Sequence, residues 1–74
     1  MDPTAPRLAI VGGGQLARMS AAPATALGIH LRVLATAPDE SAAQAIPDVV
    51  LGRHDDIDAL LRVTDGCQVV TFDH

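Results

Sequence analysis

An apolar run, Leu8-Ala9-Ile10-Val11, passes directly into three consecutive glycines, Gly12-Gly13-Gly14. A short apolar run closed by glycine marks a strand buried on both faces. Glycine then permits a sharp turn and a backbone approach that a Cβ would block. Beyond the glycines, Leu16, Met19, Ala26 and Leu27, with alanines between them, form a helical stripe from Gln15 to Leu27. Gly28 stands where a helix C-cap is wanted. Pro23 lies four residues past Met19, so a bend is expected inside that helix. Strand, glycine turn and helix together make the first half of a βαβ unit.

The remaining chain repeats this alternation. Leu31–Leu34 predicts a second strand with Arg32 inside it, and Ala35–Ser41 is polar, proline-marked loop. Ala42–Ile46 has room for a turn of helix before Pro47, and Val49-Val50-Leu51 predicts a third strand stopped by Gly52. Asp55 is expected to cap a helix with Ile57, Leu60, Leu61 and Val63 on one face. Asp65-Gly66 signals a turn, and Val69–Phe72 a fourth strand. This order predicts an α/β fold, a Rossmann-like parallel four-stranded sheet with flanking helices and right-handed crossovers. In such sheets ligands bind beyond the carboxyl ends of the strands. The glycine loop, the Ala35–Asp39 loop and Phe72-Asp73-His74 collect at that edge.

Composition narrows the partners. The chain has 74 residues and one aromatic, Phe72, so its core must come from Ala, Leu, Val and Ile. Nine acids against five arginines give a net charge of −4, which argues against nucleic acid and anionic membranes. No apolar run approaches the ~18 residues of a membrane span. Met1–Arg7 lacks the layout of a signal peptide, and a soluble, cytoplasmic protein is expected. The single cysteine, Cys67, forms no internal disulfide and no Cys-cluster zinc site; a half-buried thiol is expected.

Gly12 to Ala17 fits G-x-G-x-x-[G/A] between a strand and a helix. Such a loop either holds a ligand against its backbone or is a tight turn required for packing. A dinucleotide site adds an acid about 20 residues on, at the end of the second strand. That position reads Leu34-Ala35-Thr36-Ala37, and Asp39 and Glu40 come only later, in what is expected to be loose loop. No lysine occurs anywhere, which excludes a P-loop. Gln15 either pairs with a ligand or faces solvent, and Arg18 either meets a phosphate or lies in a solvated or salt-bridged setting. His54, Asp55, Asp56 and Asp58 are explained by a cap and first-turn acids, so no metal site is expected. His30 has no acidic neighbour in sequence and is expected at the surface. Ser20 lies outside any nucleophile elbow, and no catalytic residue is assigned.

Gly12-Gly13-Gly14-Gln15-Leu16-Ala17-Arg18-Met19 resembles the G-G-G-Q-L-[GA]-R-M opening of the 5-(carboxyamino)imidazole ribonucleotide synthase family of ATP-grasp ligases. Ala42-Ala43-Gln44 is similar to its P-A-x-Q. Gly52 with Asp55-Asp56 and Ala59-Leu60 is similar to G-x-x-D-D-x-x-A-L, and Val70-Thr71-Phe72-Asp73 to V-T-F-E. Ala17 replaces the commoner glycine, Ala35 stands where many members carry Asp, and Asp73 where many carry Glu. The resemblance implies a pre-ATP-grasp N-terminal domain over residues 7–74, behind a flexible leader at 1–6. It also implies truncation, without the ATP-grasp and C-terminal domains. The implied reaction carboxylates 5-aminoimidazole ribonucleotide with ATP and bicarbonate in purine (IMP) biosynthesis. Gly13, Gly14, Gln15, Leu16 and Asp73 would bind the ribonucleotide. ATP and Mg2+ would bind outside this segment, and the full-length enzyme would be a homodimer. Two alternatives stay open: a dinucleotide-binding domain of an oxidoreductase, and a free-standing, non-catalytic nucleotide-binding module.

Overall fold

A computed structural model describes residues 5–73. The elements are β1 (Arg7–Val11), α1 (Gln15–Met19), α2 (Ala21–Leu27), β2 (His30–Ala35), a 3-10 turn (Ala42–Gln44), β3 (Val49–Leu51), α3 (Ile57–Thr64) and β4 (Val69–Phe72). All strand pairs are parallel, in the order β3-β2-β1-β4. The expected α/β, four-stranded architecture is the one observed. His74 and leader residues 1–4 lie outside the described residues.

Side chains alternate across the sheet and build two cores. Ile10, Leu31 and Val33 pack with Ala17, Ala24, Ala42 and Ile46 on one face. Ala9, Val11 and Leu34 pack with Ala59 and Val63 on the other. Alanine is the recurrent helix-side partner, so helices sit close to the strands without aromatic filling. At Gly52 a Cβ would come within 2.5 Å of the Ala59 Cβ, which measures how closely α3 approaches the end of β3.

Three local expectations are corrected. The helix from Gln15 to Leu27 is broken rather than bent, with Ser20 closing α1 and opening α2. Pro23 thereby falls in the first turn of α2, where its missing N–H leaves no helical bond unmade. The α3 cap is Asp56, whose Oδ1 accepts from Asp58 N (3.0 Å) and Ala59 N (3.4 Å). Asp55 is engaged instead by Arg53 Nε at 3.0 Å. The buried face of α3 carries Ala59 and Val63, while Ile57 and Leu61 are 68% and 65% exposed. Val63 and, in part, Leu60 face the core as expected, but close helix–sheet packing places the small Ala59 there instead of Ile57 and Leu61.

His30 is also corrected. Its Nε2 lies 2.7 Å from Asp48 Oδ2, an oxygen that also accepts from Arg32 Nε at 2.9 Å. Arg32 Nη1 donates to the Asp65 carbonyl at 2.7 Å, tying the start of β3 to the end of α3. Burial pushes the Asp48 carboxyl up, but hydrogen bonds from His30 and Arg32 outweigh it and hold it below the usual range. The Asp48 bond raises Arg32 in turn. Cys67 is half-buried, as expected.

Candidate functional site

The glycine loop leaves the carboxyl end of β1 with a neighbour on either side. Toward β2, the crevice is filled by the chain itself. Glu40 Oε1 accepts from Thr36 N (2.6 Å), Ala37 N (3.2 Å) and the Thr36 hydroxyl. The Thr36 hydroxyl contributes most to holding the Glu40 carboxyl below its ordinary range. Ala42 N donates to Gly13 O at 2.9 Å. A Cβ at Gly13 would lie 2.8 Å from Glu40 Oε2 and 2.9 Å from the Ala35 Cβ. The loop expected to be loose is thus tied down on the glycines, in the place where a dinucleotide ribose would have to enter.

Toward β4 the edge stays open. A cavity of about 170 Å³ is lined by Ile10, Leu16, Ala17, Ser20, Thr71, Phe72 and Asp73. The register pairs Ile10 with Thr71 and Val11 with Phe72, which brings the two strand ends together. Strand order reverses between β1 and β4, so this is the topological switch point, where open α/β sheets bind ligands. Asp73 Oδ2 accepts from Ala17 N at 2.9 Å. Gly12 has φ +120, and a Cβ there would strike the Asp73 carbonyl oxygen at 2.5 Å. The cavity falls below the ~300 Å³ lower end of small-molecule sites.

The structure brings Leu16 and Asp73 to this cavity, with Gly14 against the Asp73 carboxylate. It does not bring Gln15 or Gly13 to the lining. Gln15 Oε1 accepts from Ser41 Oγ at 3.2 Å, and Gly13 is buried on the β2 side. Arg18 Nη1 donates to Ser41 O (3.3 Å) and Gln44 Oε1 (3.4 Å), bracing α1 against the 3-10 turn. Phe72 was placed at this edge by the sequence, whereas Ile10, Ser20 and Thr71 were missed. Only the β1–β4 register could have pointed to Thr71. Among the described residues no group of three or more His, Cys, Asp or Glu converges to hold a metal.

Residues 6–74 match the family model of the ribonucleotide synthetase preATP-grasp domain. The chain belongs to that family. This preATP-grasp domain is 61% identical over 70 residues to an N5-carboxyaminoimidazole ribonucleotide synthase of Mycobacterium leprae, covering 95% of the chain and 16% of the relative. The Corynebacterium ammoniagenes synthase is 53% identical over 72 residues, with 97% and 17% covered. The domain therefore spans about one sixth of the length of these curated relatives. The N5-carboxyaminoimidazole ribonucleotide synthetase structure from Thermus thermophilus superposes with TM-score 0.82 at 39% identity, over 89% of this chain and 18% of that one. The Staphylococcus aureus synthetase complexed with ADP gives 0.84 at 29% identity, over 92% and 18%.

Proposed function

We propose that this preATP-grasp domain is the substrate-side N-terminal part of an N5-carboxyaminoimidazole ribonucleotide synthase in purine biosynthesis. That enzyme uses ATP and bicarbonate to carboxylate the exocyclic amine of 5-aminoimidazole ribonucleotide. The carrying observation is the open cavity at the β1–β4 switch point, where Leu16 and Asp73 meet. Leu16 offers an apolar wall and Asp73 an acceptor for a ligand hydroxyl or amine. Gly13, Gly14 and Gln15 form the loop behind that wall. ATP and Mg2+ are assigned to the part of the synthase outside this segment. The enzyme is read as a cytoplasmic homodimer. The filled crevice toward β2 speaks against the dinucleotide-binding alternative.

The test is made in a full-length synthase carrying this domain. Asp73→Ala is expected to raise KM for the ribonucleotide about tenfold, the scale of one lost charge-assisted hydrogen bond, with KM for ATP little changed. Equal losses for both substrates would remove the assignment.

A further inference from the structure

Helix α1 is unusual in how its start is held. It has five residues, too few to persist alone, and its N-cap, Gly14, supplies no side chain. Its first turn also contains no acid. The hydrogen bond that a local Ser or Asp would make is made from a distance: Asp73, 56 positions along the chain, reaches Ala17 N with Oδ2 at 2.9 Å. Asp73 is fixed in turn, because its own N–H donates to Val11 O at 2.9 Å. Two glycines of the loop clear the path. A Cβ at Gly14 would come 3.0 Å from Asp73 Oδ2, and one at Gly12 would meet the Asp73 carbonyl at 2.5 Å.

We infer that Asp73 is a positioning residue, the remote N-cap of α1, with Gly12 clearing its backbone and Gly14 lying against its carboxylate. The glycine motif is then shaped around the chain's own fourth strand. Asp73 locks α1 to the end of β4 and fixes Leu16 over the cavity. Oδ2 is committed to the helix, leaving Oδ1 as the oxygen that can reach a ligand. This holds whether or not the cavity receives a ribonucleotide.

Amide NMR on the 74-residue chain tests it. In the wild-type protein, the Ala17 amide proton is expected to shift with pH at the same midpoint as the Asp73 carboxyl carbon. An Ala17 amide indifferent to Asp73 protonation would overturn the inference. Asp73→Asn keeps a carbonyl acceptor, so Ala17 should retain slow hydrogen exchange while losing the pH dependence. Asp73→Ala should speed that exchange about fivefold, the loss typical of a removed cap. Gly14→Ala should do the same without touching Asp73, by displacing its carboxylate. Unchanged exchange in both alanine variants would also overturn the inference. Should they fail to fold, the wild-type titration decides it alone.

Discussion

Two crevices flank the end of β1, and they have opposite fates. Toward β2, Glu40 and Ala42 close on Gly13. Toward β4, Leu16, Phe72 and Asp73 surround open space. One glycine run serves both sides, with Gly13 turned to the closed crevice and Gly12 and Gly14 to the open one. A G-x-G-x-x-[G/A] motif is therefore not a ligand address by itself. The neighbouring strands decide which side it serves, and here the Glu40 carboxylate beyond β2 folds back onto the loop.

Substitutions at the glycines should separate the two sides. Gly12→Ala places a side chain at φ +120 and against the Asp73 backbone, and is expected to cost about 3 kcal/mol. Against a total of roughly 0.05–0.15 kcal/mol per residue, that removes much of the stability of so short a chain. Gly13→Ala crowds the Ala35 Cβ and Glu40, and should cost about 2 kcal/mol. The urea midpoint reports both, and a larger effect at Gly13 than at Gly12 would reverse the proposed ranking of the two sides.

A smaller change follows from opening the closed crevice. Glu40→Ala removes the acceptor of Thr36 N and Ala37 N and should cost about 1 kcal/mol. Hydrogen exchange at the Thr36 and Ala37 amides should rise while that at Ala17 stays slow. Acceleration at Ala17 would mean that the two crevices are not independent.

The smallest expected effect is in pH dependence. Glu40 and Asp48 both have folded-state values held below the ordinary carboxylate range. Their stabilisation is therefore complete above the unfolded value of ~4 and is lost as pH falls through the lower folded values. Denaturation midpoints should be flat from neutral pH to about 5 and decline below ~4. Glu40→Gln should flatten part of that decline, and Asp48→Asn another part. An unchanged slope in Glu40→Gln would show that the Thr36 contacts contribute nothing measurable.

Most of the elements were legible in the sequence, because apolar runs and glycine or proline stops are local signals. The strands at Val49–Leu51 and Val69–Phe72 fall where the run of β-branched residues puts them. What failed was decided by competition between neighbours. Asp55 and Asp56 are equally good caps in sequence, and Arg53 removes one of them from contention. Ile57 and Leu61 outweigh Ala59 in any hydrophobic count, yet only Ala59 fits against Gly52. His30 and Asp48 are 18 positions apart and meet only because β2 and β3 pair in parallel. Within the candidate site, the glycine loop and Asp73 were identifiable by motif. Gln15 was drawn toward the ligand by the same motif, but its amide side chain is bonded to Ser41.

The sequence by itself determined the alternation of strands and helices, the glycine turn after β1 and the sheet edge where function collects. These follow from backbone preferences and hydrophobic periodicity, which act within a few residues. Only the tertiary structure decided that the β2 crevice is closed, that the β4 crevice is open and that Asp73 caps a helix 56 positions away. Those outcomes depend on which strands lie side by side and in what register. Register is set by the burial of both sheet faces at once, and no local stretch of sequence contains it.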